Sequence, residues 1–228
     1  NPYKKTGFGM AVSDKIDGDY TLLNPKEPLL DCNQATLIAD KSNRQFIVYE
    51  MDGRFYSAEI DLKKGKLTSE PKEFLGPGSM GSEYKYLDAP QFYVRDGKYH
   101  LTFSQFYGGY EVKVFHYVAD DLFAKYHPVE AEPLYTWLEA EASENVQMRY
   151  PVRNGFAPPT QVIFSNQIVE LQKGNFGMVY HSSEKYAEPA LCIDPFTWVG
   201  DSIKINFPKA AFQGLNQRTT ARFVSTNG

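Results

Sequence analysis

The chain has 228 residues, 42% of them apolar and 23% charged, with a formal net charge of −4, which suits a globular protein with a core of its own. The acid excess and the lack of any Lys/Arg run longer than two argue against a nucleic-acid surface. No stretch approaches the roughly 20 apolar residues of a membrane span. One figure stands out: 15% of residues are aromatic, including 16 Tyr and 16 Phe. Such side chains pack well on pleated sheets and also stack on sugar rings.

In chain order, "TGFGMAVSDKIDGDYT" (6–21) predicts a strand ending in Asp, a turn and a short edge strand. "LIADKSNRQFIVYE" (37–50) predicts a hairpin, and "RFYSAEIDLKKGKLT" (54–68) repeats the strand–Asp–turn–edge pattern. "GPGSMGSEY" (76–84) is a Gly-rich connection without the Lys-Ser/Thr of a phosphate loop, and Glu83 near its end is a candidate carboxylate for the same mouth as Asp88. "FYVRDGKYHLTFS" (92–104) and "YEVKVFHYVADDLFAKYHP" (110–128) form the next pair. "PLYTWLEAEASENVQM" (133–148) is the one fair helical candidate, and "MRYPVRNGFAPP" (148–159) predicts a long loop carrying Arg149 and Arg153. "IVELQKGNFGMVYHS" (168–182) and "PALCIDPFTWVGDSIKI" (189–205) complete the last pair. Each hairpin turn carries Gly, Asp or Asn, and an aromatic opens each second strand: Phe46, Tyr99 and Phe176.

Hairpin and strand–Asp–edge units recurring in this order predict an all-β fold, a β-propeller of four-stranded blades. A sandwich also uses serial hairpins, but paired units in fixed order suit a propeller better. The expected organisation is a single domain over 1–228, with a partial blade at about 1–21. Fuller blades are expected at 31–70, 86–134 and 160–207, with 208–228 a tail or closing strand. The propeller is expected to lack its first strands in this chain. Asp14, Asp61, Asp120 and Asp194 recur at the ends of the third-strand pattern and are expected to cap turns.

Three segments then carry a family resemblance. "GMAVSDKIDGDYT", "LDAPQFYVRDGKYHLTFS" and "NQIVELQKGNFGMVYHSS" resemble, in order, three signature segments of glycoside hydrolase family 43, over about residues 6–205. The resemblance implies a five-bladed propeller that cleaves O-glycosyl bonds at one end of its axis, with arabinose or xylose units as the usual substrates. It implies one Asp as base, a second Asp that tunes the acid, and a Glu that donates the proton. One carboxyl must be protonated and the other ionised, roughly 6.5–9.5 Å apart in an inverting enzyme.

In this sequence Asp88 stands at the proton-donor position, one methylene shorter than Glu, and Gln34 stands where the tuning Asp belongs, with Asp31 three residues earlier. The first-blade Asp has no counterpart. Ser165 and Asn166 stand where the family often has His. The candidate catalytic residues are therefore Asp88 and Asp31. Gln34, Phe106, Tyr107, Asn166 and Arg149 are candidates for substrate binding, Phe106 and Tyr107 by stacking on a sugar ring or else by packing in the outer blade. The alternative reading is a catalytically silent propeller that binds glycans in the same pocket.

None of the four histidines (His100, His116, His127, His181) has metal-site spacing, and no acyl-transfer motif is present. No cofactor is expected, although a structural metal ion in the axial channel is compatible with the fold. The expected partner is carbohydrate, with neither nucleic acid nor a membrane span. Family resemblance places the protein outside the cell or in the periplasm. Cys32 and Cys192 form no metal motif and read either as a disulfide or as two buried thiols.

Overall fold

A computed structural model describes residues 7–32, 34–76, 86–107, 111–138, 162–183 and 190–205. Every regular element among them is a β-strand. β1 (Ala11–Val12) and β2 (Thr21–Leu22) form a two-stranded ribbon. β3 (Ala35–Ala39), β4 (Gln45–Met51), β5 (Arg54–Asp61) and β6 (Lys66–Leu67) lie side by side in chain order, with β7 (Lys72–Leu75) also on β5. The next sheet repeats that plan: β8 (Tyr86–Arg95), β9 (Lys98–Tyr107), β10 (Glu111–Ala119) and β11 (His127–Pro128), with β12 (Tyr135–Leu138) on β10. β13 (Val162–Gln172), β14 (Asn175–Ser183), β15 (Ala190–Val199) and β16 (Ser202–Ile205) make the last sheet. All pairings are antiparallel meanders, the construction of propeller blades.

Local sequence explains the meander. The β4–β5 turn places Asp52 and Gly53 at φ +53° and +73°, and the β8–β9 turn places Asp96 and Gly97 at φ +51° and +74°. Two successive left-handed residues are what a two-residue hairpin matching strand twist requires. Asp61 accepts hydrogen bonds from the Lys63 and Lys64 amides at 3.0 and 3.1 Å, closing the turn after β5 as expected. The equivalent cap after β10 comes from Asp121, one residue beyond Asp120, through the Phe123 amide at 3.2 Å. Asp194 departs from the capping pattern: it lies inside β15 and accepts from the Tyr180 hydroxyl at 3.0 Å. The helical expectation is corrected at its start, because Tyr135–Leu138 pairs with β10 as β12; an open sheet edge took these residues before a helix could. Residues 139–148 lie outside the described set.

The sheets pack face to face, so central strands bury both faces. In β4, Phe46 and Val48 join a core with Phe55, Leu87, Leu101 and Phe103, while Ile47 points the other way to Ala58, Ile60, Phe8 and Leu30. A third core joins Val114 and Leu134 to Ile168, Met178, Phe196 and Ile203. The cores are therefore seams between successive blades. Burial on both sides is why these strands read as continuous apolar runs.

Polar ties also cross the last seam. Lys98 Nζ meets Asp201 Oδ2 at 2.6 Å, and an Arg95 guanidinium N–H donates to the Gly200 carbonyl at 2.7 Å. In the same region Glu130 accepts from the Ile203 amide at 2.7 Å and bonds His116 Nδ1 at 3.1 Å. His116 Nε2 lies 2.9 Å from His100 Nδ1, and both rings are buried. Burial pushes His100 down to about 4, and His116 adds to the shift.

Candidate active site

β8 begins beside the β4–β5 turn, and Asp88 sits two residues into the strand. Asp88 pairs with Ser104, after which the ladder slips so that Gln91 pairs with Thr102. Pro90 falls in the slip, where its missing N–H costs no ladder bond. Ala89, fully buried, takes up the extra residue at φ +54°, a left-handed conformation uncommon for a residue with a Cβ. Its amide donates to Asp88 Oδ1 at 2.8 Å. The bulge thus re-aims the strand and holds the carboxyl in one orientation, the usual use of a bulge at a site.

Burial pushes Asp88 up to about 6; the Ala89 N–H pulls the other way, and the charge of Glu50 adds to the rise. At neutral and mildly acidic pH such a carboxyl holds a proton in a useful fraction of molecules, the property of a general acid.

Glu50 is itself buried, at the end of the apolar run of β4. Its Oε1 accepts from the Gly53 amide at 2.8 Å, and its own amide donates to the Gln34 carbonyl at 3.1 Å. The Gly53 carbonyl in turn accepts from the Leu87 amide at 3.0 Å, which ties the turn of one blade to the residue before Asp88 in the next. A Cβ on Gly53 would lie 2.6 Å from the Tyr86 ring, so the close approach needs glycine. The Tyr86 hydroxyl hydrogen-bonds Glu50; burial first, and then that bond, push Tyr86 up to about 12. Cys32, a buried free thiol, is pushed up to about 11 by burial first, then by the charges of Glu50 and Asp31.

Among the residues named from sequence, Asp88 and Gln34 thus meet through Glu50 and Gly53. Asp31 is exposed on the segment before β3. Asn166 lies fully buried on β13 at a slip of the same kind as that on β8, between the pairs Phe164–His181 and Gln167–Val179. Its carbonyl accepts from Thr102 Oγ1 at 3.3 Å, while its side-chain oxygen and nitrogen have no hydrogen-bond partner among the described residues. Phe106 and Tyr107 end β9, with side chains outside the description, as are those of Ser165 and His181. Glu83, Arg149 and Arg153 lie outside the described residues. Among the described residues, no group of three His, Cys, Asp or Glu side chains comes together to hold a metal. A separate cleft of about 770 Å³ lies at the other end of β8, where the Arg95 guanidinium stands 4.7 Å over the Trp198 ring.

Two features escaped the sequence. Glu50 ends the run "FIVYE" just before an Asp-Gly turn, and an acid closing an apolar strand is the signal that marks it. The His100–His116 pair arises because His100 opposes Val118 in the β9–β10 ladder, placing His116 on the diagonal of the same face, a relation visible only once register is known.

The model of the family "Glycosyl hydrolases family 43" matches residues 2–203. No curated protein matches the chain. Among solved structures, a variant of the GH43 protein BlXynB from Bacillus licheniformis superposes with a TM-score of 0.63 at 18% identity, covering 87% of this chain and 36% of that one. An endo-arabinase from Bacteroides thetaiotaomicron gives 0.60 at 18% identity, with 86% and 68% covered. An alpha-L-arabinofuranosidase from Clostridium thermocellum gives 0.57 at 16% identity, with 87% and 65% covered. The chain therefore spans about a third of the first and about two thirds of the other two. At these identities the likeness speaks for the fold, which is that of five-bladed propellers, with three blades and a two-stranded ribbon among the described residues.

Proposed function

The chain belongs to glycosyl hydrolase family 43, and on that premise we propose that it is a glycoside hydrolase in which Asp88 donates the proton to the departing sugar oxygen. The observation that carries this reading is the carboxyl itself: half-buried, held through Oδ1 by the Ala89 amide, and pushed up to about 6. A general acid must be protonated before it acts, so activity falls as pH rises through that value. The substrates in this reading are polysaccharide or oligosaccharide chains with arabinose- or xylose-type units, arabinose being the sugar named for the arabinanase and arabinofuranosidase of like fold. Asp31, Gln34 and Asn166, with Arg149, Phe106 and Tyr107, are the candidates for orienting substrate. A polymeric substrate implies an extracellular or periplasmic setting.

Release of free sugar from aryl-glycosides and from arabinan and xylan oligomers, measured for the wild type and Asp88→Asn, tests the proposal. A fall of roughly 100-fold in the variant supports Asp88 as donor. No release from a folded wild-type protein overturns the hydrolase reading. The second reading, glycan binding without turnover, is favoured by Gln34, an uncharged residue where the family pattern has Asp.

A further inference from the structure

We propose that Glu50 reinforces burial in keeping the proton on Asp88: a buried carboxylate, delivered from the second strand of the neighbouring blade, whose negative charge opposes ionisation of the acid. The inference rests on the reading of Asp88 as donor and extends it to a residue that the family motifs do not cover. Glu50 is a positioning residue, acting through Asp88 and never on the substrate.

The geometry is specific. Glu50 Oε1 is pinned by the Gly53 amide, and the Gly53 carbonyl pins the Leu87 amide, so one glycine fixes the carboxylate and the acid-bearing strand against each other. Tyr86 and Asp88 are two residues apart on β8 and share a face of the strand, and the Tyr86 hydroxyl reaches Glu50. Both hydrogen bonds are donated to Glu50, which suits an ionised carboxylate, an acceptor only. Two acids set against each other, Glu50 buried and Asp88 half-buried, resist double ionisation, and the one with fewer donors keeps the proton.

Burial acts first on Asp88, and among charged groups Glu50 is the one that raises it. From the β4–β5 turn, Asp52 acts on Tyr86. Ahead of β3, Asp31 acts on Cys32. On β9 the residue opposite Asp88 is the uncharged Ser104, and on β13 Glu170 acts on Tyr93, five residues along β8. Gln34, at the position of the family's tuning acid, carries no charge and accepts the Glu50 amide through its carbonyl, so the charge arrives by a different strand.

The test is a ¹³C-carboxyl NMR titration of Asp88, assigned with Asp88→Asn, in the wild type, Glu50→Gln and Glu50→Asp, beside the pH profile of kcat/KM. Glu50→Gln keeps an acceptor for Gly53 and removes the charge. It lowers the Asp88 midpoint by about one pH unit, with the alkaline limb of the profile moving by the same amount. Glu50→Asp retains most of the raised midpoint. An unmoved midpoint in Glu50→Gln overturns the proposal, as does an equal fall in both variants, which would assign the effect to packing instead of charge. The titration needs no turnover. An inactive wild type with a shifting midpoint removes the hydrolase reading and leaves the Glu50–Asp88 coupling, whereas an active wild type with a fixed midpoint does the reverse.

Discussion

Replacing Asp88 by Asn should make the protein more stable at neutral pH while removing its proposed chemistry. Asp88 ionises near 3.8 in an ordinary setting and near 6 in the fold. Below the lower value both states hold the proton and the residue contributes nothing to pH dependence. Between the two values the folded chain still holds a proton that the unfolded chain has released, so stability falls as pH rises. Above about pH 7 the full cost is present, about 3 kcal/mol from a shift of roughly two units. About 1 kcal/mol of it already operates at pH 4.5, leaving a change of about 2 kcal/mol between there and pH 7.5. Asn keeps an oxygen for the Ala89 amide and never charges. Urea unfolding of both proteins at the two pH values reads the difference, with the gap in favour of Asp88→Asn widening by about 2 kcal/mol at the higher pH. A gap that is constant with pH, or that narrows, would refute the claim that the fold disfavours the Asp88 anion.

Gly53→Ala should lower stability by about 1–3 kcal/mol, since it combines φ +73° with a clash against Tyr86, and turnover should fall with it because Leu87 and Asp88 hang on the same glycine; urea midpoints and kcat report the two effects. His100 acts with the opposite sign to Asp88: its proton affinity is depressed in the fold, so its contribution is complete above about 6.5 and is lost as pH falls toward about 4. His100→Gln should flatten the acid limb of a stability–pH curve over that window, and an unchanged limb would mean that the buried pair does not resist charging.

The sequence exposes the blade plan because propeller strands alternate with turns that require particular residues. The Asp-Gly pairs at 52–53 and 96–97 and the aromatics at Phe46, Tyr99 and Phe176 mark hairpins that the structure forms. Asp88 was named through the family resemblance; the bulge that follows it has a visible cause in Pro90, which cannot donate to the ladder. Glu50 was not legible, because its partner lies across a seam, and sequence patterning within one blade carries no information about what the next blade presents. The His100–His116–Glu130 line was hidden likewise, since it needs the β9–β10 register and then the packing of β16. Tyr135–Leu138 read as helix because composition there is neutral, and the free edge of β10 decided the matter.

The apolar seam between the second and third sheets takes in Leu87, the residue before Asp88, packed with Phe55 and Phe103. Because the Glu50 and Asp88 carboxyls belong to different blades, their separation is a property of how those blades lean on each other. Acidity at the mouth is then a gauge of inter-blade tilt. A substitution deep in that seam, remote from any sugar, would be read out as a change in the pH at which the proton leaves.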